Sequence, residues 1–246
     1  MVQYVGFKMI YFNTEIPRPT PMTGWKELPI EECGEPLVRL NPLAPKLIIV
    51  RSGYALQGIP GASFDLYARS GVADRLVVAA QNLQTIRPDA KLQVEDAYRT
   101  YETQEALFED HKFKLRTKHP RWHEKTIDRK AQTYVSKPSR DLLKPSPHIT
   151  GGAIDLTIVE HGKELEMGTE WDYFGPKAGP AFFEAAARKP QTSYRDNRRL
   201  LYFCMTRAGF SSYPEEWWHF DFGNQFWSQV SRRGPAIYTY IKSPYS

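Results

Sequence analysis

Between residues 71 and 86 the apolar side chains Val72, Leu76, Val77, Ala80 and Leu83 recur every three to four positions, the period of one helix face, and Pro88 ends the pattern. The same period runs through residues 192–208, and Gly209 stands where glycine is favoured just past a helix end. Further helices are predicted over 103–118, 124–135 and 181–188. Strands are predicted over 47–50, 92–99, 153–159 and 217–222, with an edge strand over 237–241. Gly162-Lys163 is a predicted turn into 164–167, while Gly53, Gly58, Pro60 and Gly61 mark a loop. Strands and helices do not alternate in a βαβ rhythm, so the predicted fold class is α+β. Residues 1–45 carry seven prolines and no sustained period, which predicts an N-terminal extension packed on a domain formed by residues 46–246.

Composition narrows the class. A hydrophobic fraction of 41% with 13% aromatics is enough for a packed core. No apolar stretch approaches the length of a membrane span. Residues 1–12 lack a basic start and a small-residue cleavage site, so a cytoplasmic location is expected, or a periplasmic one if a leader has been removed. Cys33 and Cys204 are far apart and in no metal-ligand spacing, and both are predicted to be buried thiols. The net charge is +5, yet residues 111–144 hold eleven Lys or Arg against three acids. No aromatic platform or nucleic-acid motif accompanies that strip, so a solvated helix pair is expected and nucleic acid is not the expected partner.

Two segments carry candidate chemistry. In Ser146-Pro147-His148-Ile149-Thr150-Gly151-Gly152-Ala153-Ile154-Asp155, a histidine and an aspartate flank a Gly-Gly pair just before an apolar strand. A helix tolerates that pair poorly, whereas a loop feeding a strand brings both side chains toward one cleft. In Glu215-Glu216-Trp217-Trp218-His219-Phe220-Asp221-Phe222, Glu216 and His219 are three apart at the start of an aromatic strand. Two histidines and a carboxylate give zinc three protein ligands and leave a fourth position for water, whose proton an unligated glutamate can take. On spacing alone, loop histidines and core tryptophans explain the same residues equally well.

The two segments together match Ser-x-His-x-x-Gly-x-Ala-x-Asp and Glu-x-x-His, and in this they resemble the D-alanyl-D-alanine dipeptidase family, zinc enzymes that include the vancomycin-resistance dipeptidases. Asp96-Ala97-Tyr98-Arg99, Met167-Gly168-Thr169-Glu170-Trp171-Asp172 and Asn197-Arg198-Arg199-Leu200 are similar to further family motifs, so the resemblance covers about residues 64–225. It implies one zinc per chain held by His148, Asp155 and His219, with Glu216 as general base and acid. It also implies that Arg99 stabilises the oxyanion, that Asp172 holds the substrate's free amino group, and that Ser146 lines the site. The implied fold is a small antiparallel sheet carrying the zinc with helices packed around it, of the hedgehog/DD-peptidase type. Ala97, Thr100 and Trp171 depart from the family pattern, and residues 1–63 have no clear match to the family's pocket-closing N-terminal segment.

The activity implied is hydrolysis of a small peptide substrate, D-Ala-D-Ala or a related D-amino-acid dipeptide. Two other readings stay in view: a D,D- or L,D-carboxypeptidase trimming longer cell-wall peptides, and a zinc-stabilised binding domain without activity. The presence of Glu216 speaks against the last.

Overall fold

The computed structural model describes residues 14–18 and 22–242; residues 1–12, in which no secretory signal is expected, lie outside them. The chain runs β1 (Leu37–Arg39), β2 (Ile48–Val50), α1 (Gly53–Leu56), β3 (Tyr67–Arg69), α2 (Ser70–Ile86), β4 (Ala90–Asp96), α3 (Tyr101–Lys118), α4 (Glu124–Ala131), β5 (Ala153–Glu160), β6 (Lys163–Glu164), α5 (Gln191–Arg207), β7 (Ser211–Ser212), β8 (His219–Asp221) and α6 (Gln225–Ser231). The fold is α+β, as the pattern predicts.

The main sheet has the order β2-β4-β5-β8-β7, with β6 folded back on β5. Every pairing in it is antiparallel except β2 on β4, a parallel edge strand reached by way of α1, β3 and α2. β5 is buried over 153–159, which is why it appears in the sequence as a nearly continuous apolar run. On α2 the predicted face is the one that is buried: Val72, Leu76, Ala80 and Leu83 join a core with β4, β5 and the buried face of α5, and Cys204 lies within it. Thr100 caps α3 by accepting the Thr103 N–H at 3.1 Å. A smaller cluster of Tyr54, Leu107, Phe108, Ala131 and Val135 packs α3 and α4 beside the sheet. Among the described residues no helix is long and apolar enough to cross a membrane.

Several expectations are corrected. Residues 181–188 form successive turns and no α-helix: their amides reach back three residues, as from Phe182 to Gly179 and from Glu184 to Ala181. Side chains of α5 hold this stretch in its turns: Arg195 donates to the Ala186 carbonyl at 3.1 Å and Arg199 to the Glu184 carboxylate at 3.0 Å. No strand forms over 237–241, because the Ile237 and Tyr238 amides both donate to the Gly223 carbonyl and Ile241 donates to Ile149. Only Ala236 makes a bridge there, to Ile30. Cys33 is exposed, since it lies on an irregular surface segment outside any packed element. In the basic strip Lys112 reaches Asp128 at 2.6 Å and Glu124 at 3.1 Å, so part of its charge ties α3 to α4.

Candidate metal centre

Three neighbouring strands set three acidic or imidazole side chains in one row. Asp155 on β5 stands opposite Asp96 at the end of β4 on one side and opposite His219 on β8 on the other. A register shift between Val94 and Asp96 re-aims the end of β4 at this point. Residues two apart on a strand share a face, which places Asp221 beside His219. His148 arrives from a short 3-10 turn, His148–Thr150, immediately before β5. The Gly-Gly pair makes that turn possible: Gly151 has φ +69°, and a Cβ on Gly152 would lie 2.6 Å from the Phe222 carbonyl oxygen.

The three side chains converge. His148 Nε2 lies 3.2 Å from His219 Nδ1 and 3.4 Å from Asp155 Oδ1, and the last two atoms are 3.0 Å apart. Nitrogen and oxygen ligands about 2.0–2.2 Å from a tetrahedral ion stand roughly 3.3 Å from one another, so this triangle has the dimensions of a metal site. His148, Asp155 and His219 are all buried and form a candidate metal-binding triad. The outer partners fix which ring nitrogens face inward. His148 Nδ1 lies 2.6 Å from the Ala97 carbonyl oxygen, an acceptor only, so Nδ1 carries the proton and Nε2 is the free base. His219 Nε2 donates to Asp221 Oδ1 at 3.1 Å, which aims Nδ1 inward as the ligand atom. Asn224 donates to the same Asp221 oxygen at 2.6 Å and holds it in place. Burial opposes charge on His219, yet the carboxylates of Asp221 and Asp155 raise its pKa well above the ordinary value, so the pocket draws positive charge.

Glu216 precedes β8 in a loop and is buried, with Oε2 3.9 Å from His219 Nδ1. Burial pushes its carboxyl well above the usual range. Arg99 is held from three directions: Nε donates to Asp96 at 2.6 Å, Nη1 to Gln104 at 3.1 Å and Nη2 to Asp155 Oδ2 at 3.2 Å. Asp172 is half-buried with φ +63°, a left-handed conformation that aspartate tolerates better than most residues. Tyr54 Oη donates to its Oδ1 at 3.0 Å. Burial pushes the Asp172 carboxyl up to about 7, against the pull of Tyr54 and Arg99. Glu216, Arg99, Gln104, Asp172 and Tyr54 line one cleft, together with the three metal-ligand candidates. Ser146 does not line it; its hydroxyl is buried with no hydrogen-bond partner.

Four contributors escaped the sequence reading as site residues: Tyr54, Asp96, Gln104 and Asp221. Asp221 carried a usable signal, because an acid two positions beyond a ligand on a strand shares its face. Tyr54 carried none, lying in α1 within a stretch that the sequence marks only as a glycine-punctuated loop.

Comparison with known proteins identifies the family. The family model described as D-ala-D-ala dipeptidase matches residues 67–236. A D-alanyl-D-alanine dipeptidase from Synechocystis sp. is 32% identical over 234 residues, covering 88% of this chain and 94% of that protein. One of the same name from Escherichia coli is 39% identical over 85 residues, 33% of this chain and 40% of that protein. A solved structure, described as "Structure of the LdcB LD-carboxypeptidase reveals the molecular basis of peptidoglycan recognition", aligns at 20% identity with a TM-score of 0.39, covering 68% of this chain and 65% of that chain. With the family model spanning well over half of its length and a near full-length relative above 30% identity, the chain belongs to the D-ala-D-ala dipeptidase family of peptidases.

Proposed function

We propose that this peptidase is zinc-dependent and hydrolyses free dipeptides, D-Ala-D-Ala or a related D-amino-acid dipeptide. The observation that carries the reading is the triangle of His148 Nε2, Asp155 Oδ1 and His219 Nδ1 beside the buried Glu216. Two imidazoles and one carboxylate suit zinc better than the hard cations, which prefer oxygen ligands throughout. Zinc held there supplies a Lewis acid that polarises the scissile carbonyl and brings a water's pKa toward neutrality.

The chain's own residues complete the reaction. Glu216 takes the proton of the attacking water and returns it to the leaving amine nitrogen, a task for which a carboxyl raised by burial is suited. Arg99 has five N–H donors, of which Asp96, Gln104 and Asp155 engage three, so two remain for charge developing on the carbonyl oxygen. Asp172 accepts the substrate's ammonium, with Tyr54 fixing the carboxylate's orientation. An amine partner inside the cleft favours a free dipeptide over an acylated peptide. Ser146, whose buried hydroxyl lies outside the cleft lining, has no substrate contact in this scheme. Residues 1–45 are assigned as an extension on a catalytic domain of residues 46–246, with β1 laid antiparallel on β3.

The test is zinc-loaded protein assayed on D,D-, L,D- and L,L-dipeptides, N-acetyl-D-Ala-D-Ala and one pentapeptide. Rapid cleavage of D-Ala-D-Ala and slow cleavage of its N-acetyl form are expected. Comparable rates on the two would move the assignment to a carboxypeptidase, and zinc binding without any turnover would leave a binding domain.

A further inference from the structure

The loop that carries Asp172 is closed at its base by two buried side chains that take no part in the scheme above. Arg198 lies on the buried face of α5 and is 1% exposed. All three arms of its guanidinium donate to backbone carbonyls of one segment: Nε to Met167 at 2.7 Å, Nη2 to Lys177 at 2.8 Å and Nη1 to Gly179 at 2.7 Å. The two ends of the segment are thereby drawn onto a single planar group. Asp172 and Phe174, between those ends, line the cleft.

Trp217 makes the second half of this clasp. Its indole N–H donates to Thr169 Oγ1 at 2.8 Å, and its backbone N–H donates to the Ala178 carbonyl at 2.8 Å. The centre of its ring lies 5.9 Å from the Arg198 guanidinium carbon. Trp217 follows Glu216 directly in the chain, so the proton-accepting carboxylate and the Asp172 loop hang from one fixture.

The clasp is costly to build. Among the described residues no carboxylate forms an ion pair with Arg198, and burial pulls its pKa down to about 9. The Phe183 ring, with its centre 4.7 Å from the guanidinium carbon, offsets part of that cost. What arginine supplies in return is a rigid fork of donors able to hold three carbonyls at once, which an ammonium on a flexible stem does less well. Asp172 needs such a fixture, because its left-handed backbone at φ +63° persists only where its surroundings hold it.

We infer that Arg198 and Trp217 are positioning residues that set the separation between Asp172 and Glu216, and with it the length of substrate whose ammonium and scissile bond can be held together. The inference rests on the dipeptidase reading, in which Asp172 takes the ammonium and Glu216 the proton.

The experiment compares zinc-loaded wild type, Arg198→Lys, Thr169→Val, Asp172→Asn and the double variant Arg198→Lys/Asp172→Asn on D-Ala-D-Ala and its N-acetyl form. Arg198→Lys should lose about ten- to a hundredfold in kcat/KM on the free dipeptide, chiefly through KM, and much less on the acetylated one. Thr169→Val cuts the indole tether at a half-buried position. It should shift the same preference in the same direction, and it carries the test if Arg198→Lys does not fold. In the Asp172→Asn background Arg198→Lys should cost less than about threefold, because the group through which it acts is gone. A merely structural role would slow both substrates alike and add independently to Asp172→Asn. That result, or an unchanged preference in both single variants, overturns the inference. Calorimetric binding of D-alaninamide gives a readout free of turnover, with weaker binding expected in Arg198→Lys and Thr169→Val than in wild type. A wild type that cleaves no dipeptide but shows this ranking refutes the dipeptidase reading and leaves the clasp standing. Cleavage of the free dipeptide with equal preference and equal binding in all three proteins refutes the clasp and leaves the reading. Neither cleavage nor binding overturns both.

Discussion

Asp221 Oδ1 accepts the Nε2–H of His219 at 3.1 Å from two positions along the same strand, so one short β-segment supplies both a metal-ligand candidate and the group that fixes its tautomer. Removing such a partner leaves the ligand in place but lets the ring turn and exchange its proton. Asp221→Ala is therefore expected to weaken zinc binding by about 10- to 100-fold while leaving the fold intact. Competition with a chromophoric chelator measures this; undiminished affinity would remove Asp221 from the centre. By contrast His148→Ala, Asp155→Ala and His219→Ala should each retain far less than one equivalent of zinc in elemental analysis.

Glu216→Gln preserves shape and metal but cannot take a proton. Turnover of D-Ala-D-Ala is expected to fall by about two to four powers of ten with zinc content unchanged. Arg99→Lys should also be severely impaired, because an ammonium cannot reach Asp96, Gln104, Asp155 and the substrate together. Near-normal kcat in Glu216→Gln would require another base.

Asp172 gives a pH dependence whose sign is fixed by its raised pKa. With its carboxyl near 7, it is protonated and neutral at lower pH and carries the charge that an ammonium needs only at higher pH. KM for a free dipeptide should rise as pH falls through about 7, and Asp172→Asn should give a high KM that is flat over that range. The sign is opposite for the folded chain alone: a carboxyl with raised pKa favours folding at low pH and withdraws that contribution as pH rises toward 7. A KM that rises toward alkaline pH in this window would contradict the amine-binding role.

Gly152 approaches the Phe222 carbonyl too closely for a side chain, since an added Cβ would sit 2.6 Å from that oxygen. Phe222 N–H also donates to the Gly152 carbonyl at 2.8 Å, so the strands cannot simply part. Gly152→Ala should cost about 1–3 kcal/mol of stability in thermal or denaturant unfolding and displace His148 enough to weaken metal binding. Wild-type stability in this variant would mean that the turn relaxes freely.

The sequence made some of this legible because local patterns report local structure. α2 could be read from its three-to-four spacing, and β5 from a buried apolar run, as their burial shows. His148, Asp155 and His219 could be read from motif spacing, but their convergence depends on β5 pairing with β8, which no local pattern states. The segment 237–241 is apolar enough for a strand, yet its amides are engaged by Gly223 and Ile149, a long-range arrangement invisible in the pattern. Tyr54 reaches the cleft only because α1 lies against Trp171, 4.7 Å between ring centroids and 117 positions later in the chain.

The row formed by Asp96, Asp155 and His219 ties metal affinity to strand register. Side chains on a strand alternate faces, so sliding β8 by one residue against β5 would turn His219 away while leaving backbone pairing largely satisfied. Such a collapsed chain would look nearly native by far-ultraviolet dichroism and yet hold no metal. If the centre holds zinc as proposed, its uptake during refolding would be a proofreading signal: it would report the moment when β5, β8 and the His148 turn have locked into their one correct alignment, and it would stabilise that alignment over every near miss.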